Sequence, residues 1–306
     1  MRHYIEYLLF QFFKSCVLLL PLKSAQRLGS TLGALTYHLY DSRRNVALEN
    51  LQYAFPEKSE KERERIAKGA FQNYGIVLAE LLWFPNLSDE TMRRLVRFDE
   101  VDKMKRAYEK GKGVIMLSGH FGNWELVGVA CGYLSGLSCN IIVQTQSNKR
   151  VDEIINHHRC RFNNKVVPMG MSVREILRTL SEGGVIGLAA DQSAAMESAY
   201  IEFFGRQVST HKGPATFALR AGAPLLMNFL IRHHDGTYHI EMQEIQADDI
   251  AEYNDANIVE LTRRHTAVLE KYIRKYPDHW LWMHRRWKHT LDNVPQEKTV
   301  TATVHA

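Results

Sequence analysis

Gly113-Val-Ile-Met-Leu-Ser-Gly-His120-Phe-Gly-Asn-Trp-Glu125-Leu-Val127 is the stretch whose reading decides the fold. The apolar run Val114 to Leu117 reads as a buried strand. Glycines on either side of His120 make a turn, and Asn123 is placed to cap a helix that begins at Trp124. An imidazole at the end of a strand and a carboxylate five residues on, Glu125, can be brought together by such a turn. The carboxylate would hold one ring nitrogen while the other abstracts a proton. The spacing His-x4-Glu is weak by itself, since a strand-end histidine bonded to a helix-cap glutamate for structural reasons looks the same. Ser118 is the nearest hydroxyl and lacks a Gly-x-Ser-x-Gly elbow, so a nucleophile would have to come from a substrate.

Downstream of this stretch, strand and helix patterns alternate. Strands are expected at Val114–Ser118, Cys139–Gln144, Lys165–Pro168, Val185–Ala190, Pro224–Arg232 and Thr237–Glu244. Helices fall at about 122–134, 151–163, 172–182 and 213–221, and a last one from Asn257 to Lys275. Alternation of this kind predicts an α/β fold with a mostly parallel sheet, its last two strands forming an antiparallel edge hairpin about Asp235-Gly236. Ligands of such sheets bind at the carboxyl ends of the strands. His120 follows one expected strand there, and Asp191-Gln192 follows another. Asp191 could orient a substrate or an arginine, or simply cap a turn.

Upstream, residues 24–97 read as helical. Leu28, Leu32, Leu35 and Leu39 recur at helical spacing, a second helix stops before Pro56, and Ser59 with Glu62 forms a capping box. The first segment, Tyr4 to Leu22, is apolar with aromatics at its outer end. From Tyr7 to Leu22 a helix would span about 24 Å, short of the ~30 Å hydrocarbon core. It is read as a membrane-anchoring helix over residues 1–23, either tilted and marginally spanning or lying in the interface; a helix packed on the domain is the alternative. The α/β core covers 98–292, and the polar tail, 293–306, is expected to be disordered.

In composition the 306 residues are those of an ordinary globular protein, 45% hydrophobic and 24% charged, which excludes a disordered or fibrous chain. A net charge of +5 suits anionic head groups, phosphorylated substrates, an acidic carrier protein or nucleic acid. Four cysteines without CxxC spacing read as reduced thiols on the cytosolic side of a membrane. Arg159 and Arg161 alternate at a helix end, which suits a phosphate or carboxylate. The helix start at Gly213-Pro214 can receive an anion. Trp280, Trp282 and Trp287 with Arg285-Arg286 read either as an aromatic-basic surface or as tryptophans packed under the sheet. No metal is assigned, because His157-His158 and His233-His234 lack ligand spacing.

Taken together these residues resemble the bacterial lipid A late acyltransferases, the lauroyl and myristoyl transferases of lipopolysaccharide assembly within the lysophospholipid-acyltransferase-like superfamily. The resemblance runs over nearly the whole chain. It rests on Arg43-Arg44-Asn-Val-Ala-Leu-Glu-Asn-Leu-Gln-Tyr-Ala-Phe-Pro-Glu57, Gly119 to Glu125, Asp191-Gln192, Phe203-Phe-Gly205, Thr210 with Gly213-Pro-Ala215, and Trp282 to Trp287. It implies a glycerol-3-phosphate-acyltransferase-like αβα sandwich. It also implies that His120 and Glu125 are catalytic, His120 being the general base on an acceptor hydroxyl that attacks an acyl thioester. Asn123, Arg159, Arg161, Asp191, Gln192 and Thr210 would line the substrate site. The expected partners are acyl carrier protein as donor, a glycolipid acceptor and the membrane, with no nucleic acid, no cofactor and no metal. The place would be the cell inner membrane, the catalytic domain on its cytoplasmic face. Two departures bear on donor and acceptor: Gln146 to Arg150 lacks the family's prolines, and Asn163 or Asn164 stands where glycine is usual. The alternatives are acyl-coenzyme A-dependent acylation of mannosylated phosphatidylinositol, a hydrolase using the same dyad on water, and a non-catalytic lipid-binding protein.

Overall fold

Prolines and caps divide the N-terminal third into helices: α1 (Arg2–Leu18), α2 (Leu22–Leu39), α3 (Asp41–Ala54), α4 (Glu60–Trp83) and α5 (Asp89–Leu95). This computed structural model describes residues 2–170, 173–250 and 252–291. The expected disordered tail and the first residue of the helix placed at 172 lie outside them. Ser59 and Glu62 form the capping box reciprocally at the start of α4. Pro56 follows Phe55, the C-cap of α3.

Helices α2 and α4 cross almost backbone to backbone. A Cβ on Gly29 would lie 2.5 Å from the carbonyl oxygen of Gly75, and one on Gly33 would overlap the carbonyl of Phe71. The buried face of α2 is therefore Ala25, Gly29, Gly33 and Tyr37. Its leucine stripe does not pack inward as the periodicity suggested: Leu32, Leu35 and Leu39 are 40%, 50% and 67% exposed. Small residues won the inner face because they let two helix axes approach. On α1 the same outward display continues through Tyr4, Ile5, Leu8, Leu9, Phe12 and Phe13. No helix among the described residues is long and apolar enough to cross a membrane, so the spanning form of the N-terminal helix is corrected.

From residue 96 the chain builds β1 (Val96–Arg97), α6 (Val101–Glu109), β2 (Val114–Ser118), α7 (Trp124–Ser135), β3 (Cys139–Val143), α8 (Lys149–Arg159), β4 (Lys165–Pro168), α9 (Val173–Ser181) and β5 (Val185–Ala189). A hairpin follows, β6 (Ala199–Phe203) and β7 (Arg206–Thr210), then α10 (Gly213–Ala221), β8 (Leu225–Arg232), β9 (Tyr238–Glu244) and α11 (Asp255–Lys275). The main sheet has the order β1-β9-β8-β2-β5-β3-β4 and is parallel except where β8 meets β9. The β8–β9 hairpin is antiparallel as expected but is not the sheet edge. β1 pairs beyond it, Val96 opposite Tyr238 and Arg97 opposite His239. The β6–β7 hairpin was not anticipated. Its turn holds Phe204 at φ 52° and Gly205 at φ 72°, where an Asn-Gly pair would have been the signal.

Alternate residues of the central strands feed two cores. Val114, Met116 and Val185 pack toward α6 and α7, whereas Ile115, Leu117 and Ile186 join the side of α9, α10 and α11. β2 lies beside β5, and the chain leaves them in opposite directions: β2 leads across β5 to β3, and β5 leads on to β8 beyond β2. A crevice opens at their carboxyl ends, as the rule for open α/β sheets requires.

Candidate active site

His120 and Asp191 sit at that crevice, one just past β2 and the other just past β5. Asp191 Oδ1 lies 2.7 Å from His120 Nδ1, and its Oδ2 accepts the backbone N–H of His120 at 2.8 Å and the indole N–H of Trp280 at 2.8 Å. Burial works against ionising Asp191, but the imidazole and these donors outweigh it and hold the carboxyl down at about 2. For His120 burial disfavours the imidazolium, yet the Asp191 charge and hydrogen bond prevail and raise its pKa above the ordinary 6.5. An ionised Asp191 accepts, so Nδ1 carries the proton and Nε2 keeps its lone pair. Gln192 puts its Nε2 3.5 Å from that nitrogen.

The turn carrying His120 is strapped from below. Gly122, at φ 58°, donates its N–H to the carbonyl of His279, and Leu281 donates to the carbonyl of His120. Phe121 N–H donates to the carbonyl of Gly119, so the backbone donors of both Phe121 and Gly122 are engaged within the turn and its strap. Asn123 caps α7, its Oδ1 accepting from Leu126 N–H at 2.9 Å, and donates through Nδ2 to buried Glu80. Gln26 of α2 and Tyr238 of β9 also donate to Glu80.

Glu125 does not take the imidazole. Its carboxylate receives Arg159 Nη2 at 2.7 Å and Nε at 2.8 Å, and Arg159 Nη1 donates to Asn156. In the first turn of α7 the side chain projects toward α8, where a guanidinium fork meets both oxygens. Glu125 still reaches His120 through its field, which raises the imidazole pKa.

A cavity of about 840 Å³ runs from this rim into the apolar interior. His120, Glu125, Arg159 and Gln192 line it, with Tyr74, Trp124, His211 and Asn228. The Oδ1 of Asn228 is buried without a partner. Arg161 lies elsewhere, donating to the carbonyls of Leu87 and Pro85. Thr210 is buried outside the cavity lining and accepts from Arg286, whose guanidinium is itself buried. The three closing tryptophans are buried, at 3%, 0% and 5% exposure, so that stretch presents no aromatic surface. Sequence reasoning gave Glu80 and Asn228 no mention and Trp280 no place in the site; the hydrogen bonds to Asn123 and Asp191 mark Glu80 and Trp280, and the cavity lining marks Asn228.

His120 thus lines a largely apolar cavity, and Ser118, the hydroxyl nearest to it in sequence, donates to the carbonyls of Gly119 and Asn228. The sequence matches the family of bacterial lipid A biosynthesis acyltransferases over residues 1–289. The chain belongs to that family. This acyltransferase is 27% identical over 270 residues to the lipid A biosynthesis palmitoleoyltransferase of Escherichia coli (strain K12), covering 85% of this chain and 84% of that protein. It is 26% identical over 289 residues to the lauroyltransferase of the same organism, covering 91% and 90%. A phosphatidylinositol mannoside acyltransferase of Mycobacterium tuberculosis is 24% identical over 165 residues, 51% of each chain.

Proposed function

We propose that this acyltransferase moves a fatty acyl chain from a thioester to a hydroxyl of a lipid A precursor, with His120 as general base and Asp191 as the group that orients it. Nε2 of His120 takes the hydroxyl proton as the oxygen attacks the thioester carbonyl carbon. The tetrahedral oxyanion collapses, the C–S bond breaks, and the imidazolium returns the proton to the departing thiolate. No acyl-enzyme is needed. Glu125, held by Arg159, adds negative charge near the imidazolium, and the Gln192 amide, 3.5 Å from Nε2, would donate to the developing oxyanion. The observation that carries the reading is the fixed Nδ1 of His120, which leaves Nε2 basic at the mouth of an apolar cavity.

Acyl carrier protein is the proposed donor, its acidic surface suiting a chain of net charge +5. The exposed apolar faces of α1 and α2 would lie in the cytoplasmic interface of the inner membrane, where a glycolipid acceptor is reached without a spanning helix. The strand arrangement with helices on both faces fits the glycerol-3-phosphate-acyltransferase-like sandwich. The departures around Gln146 to Arg150 keep acyl-coenzyme A and a mannosylated phosphatidylinositol as the second reading.

The test incubates purified protein with acyl carrier protein thioester and a phosphorylated glucosamine disaccharide lipid. Acylated acceptor should form, and His120→Ala should slow it by the ~10²–10⁴-fold typical of a lost general base. Wild-type turnover by that variant would sink the reading, and thioester loss without acceptor product would favour hydrolysis.

A further inference from the structure

The sheet divides the cavity into two arms. Successive residues of one strand face opposite sides, and both Gly187 and Leu188 of β5 line the cavity, as do Ile141 and Ile142 of β3. Ile141 belongs to the core on the α7 side; Ile142 and Leu188 belong to the core on the α9–α11 side. The cavity therefore wraps the carboxyl ends of β3 and β5. On the α10 side its lining is mixed, with His211 and Gln192 among the apolar residues.

Under α7, beyond the Glu125–Arg159 pair, the lining is apolar. Met116 and Cys139 line it at 4% and 0% exposure. Burial pushes the Cys139 thiol up to about 12, so it stays neutral and acts as an apolar surface. Met116 lies two residues below Ser118 on β2, and Cys139 four residues below Val143 on β3. At ~3.3 Å per residue the arm reaches on the order of 13 Å below the rim.

Two glycines leave this arm its room. Gly128 stands inside α7, where glycine is otherwise unfavourable, and neither it nor Gly187 has a positive φ that would call for one. A Cβ on Gly128 would come 3.3 Å from Ile141 Cδ1, and one on Gly187 2.9 Å from Cys139 Sγ. Close packing, and not backbone conformation, accounts for both: a side chain at either would crowd Ile141 or Cys139 of the lining and narrow the arm. Resting on the acyl-transfer reading above, we infer that the α7 arm holds the transferred acyl chain and sets its length. Gly128 and Gly187 keep it open, and Met116 and Cys139 form its floor.

The experiment measures kcat/KM of wild type, Gly128→Val and Met116→Ala against a series of acyl carrier protein thioesters from eight to sixteen carbons. One methylene in an apolar pocket is worth roughly 10–200-fold in discrimination. Gly128→Val should lower the long-to-short ratio at least tenfold, and Met116→Ala should raise it. Ratios within twofold of wild type in both variants overturn the proposal. Wild-type protein that acylates no acceptor from any thioester would instead sink the function reading. Should a variant fail to fold, a thioester with a terminal diazirine is photolysed on wild-type protein. Label within α7 and β3 supports the proposal, and label confined to α9 and α10 overturns it.

Discussion

Asp191 grips His120 twice, through Nδ1 at 2.7 Å with one oxygen and through the backbone N–H at 2.8 Å with the other. The two-point hold fixes ring and turn together, and Trp280 donates to the second acceptor site of Oδ2. Rate should therefore follow His120 as a free base. Its pKa is raised by Asp191 against the effect of burial, so kcat/KM rises as pH passes upward through a value above 6.5. In Asp191→Asn burial remains without the opposing charge, and the acid limb should move to lower pH. The plateau rate should fall on the order of 10²-fold or more, because the tautomer is no longer fixed. A pH profile of kcat/KM checks both; an unmoved acid limb would mean that Asp191 does not act on His120.

Glu125 and Arg159 form a bidentate pair whose side chains are 13% and 11% exposed. Removing one partner leaves the other poorly compensated, and Glu125→Gln should destabilise the protein by on the order of 3 kcal/mol. The double variant Glu125→Gln/Arg159→Met should be more stable than the sum of the single effects, since it strands no charge. Denaturant unfolding measures this. Glu125→Gln should also move the acid limb of the pH profile downward, but less than Asp191→Asn does, because Glu125 acts on the imidazole through space.

These pairings explain what the sequence disclosed and what it hid. Strand periodicity placed β2, β3, β4 and β5 within a residue or so, and the turn chemistry around His120 located the rim of the site. Proximity in sequence then favoured Glu125 as the partner of His120. The partner is Asp191, seventy-one residues away, because β2 and β5 are neighbours in the sheet. Strand order depends on packing across the whole domain and leaves no local mark. The β6–β7 hairpin was hidden for a different reason: Phe204 occupies a left-handed position there, and no sequence rule predicts phenylalanine at it.

Leucines misled in α2, since the helix buries its glycine stripe instead. Gly33→Val should test that inner face. Its Cβ would overlap the Phe71 carbonyl, a backbone atom that cannot rotate away. The helices must separate, loosening Tyr37 from Phe71 at the crossing, where their rings meet edge to face at 5.5 Å. Overpacking of this kind costs about 1–3 kcal/mol. A thermal melt should show a lower midpoint, and an unchanged one would mean that the crossing tolerates a wider spacing.

The outer face of α2 makes the opposite prediction. Leu32, Leu35 and Leu39 are exposed, so serine at all three should leave the melting temperature nearly unchanged, whereas three buried leucines would cost several kcal/mol. Binding to vesicles of mixed neutral and anionic lipid should weaken, because each leucine side chain inserted into the interface contributes ~1.5–3 kcal/mol if fully buried there. Sedimentation with such vesicles reads the effect, with His120→Ala as a variant that should bind like wild type. If the triple serine variant sediments as wild type does, α2 is not part of the membrane face. A parallel change at Leu8, Leu9 and Phe12 of α1 then decides whether that helix alone makes the contact.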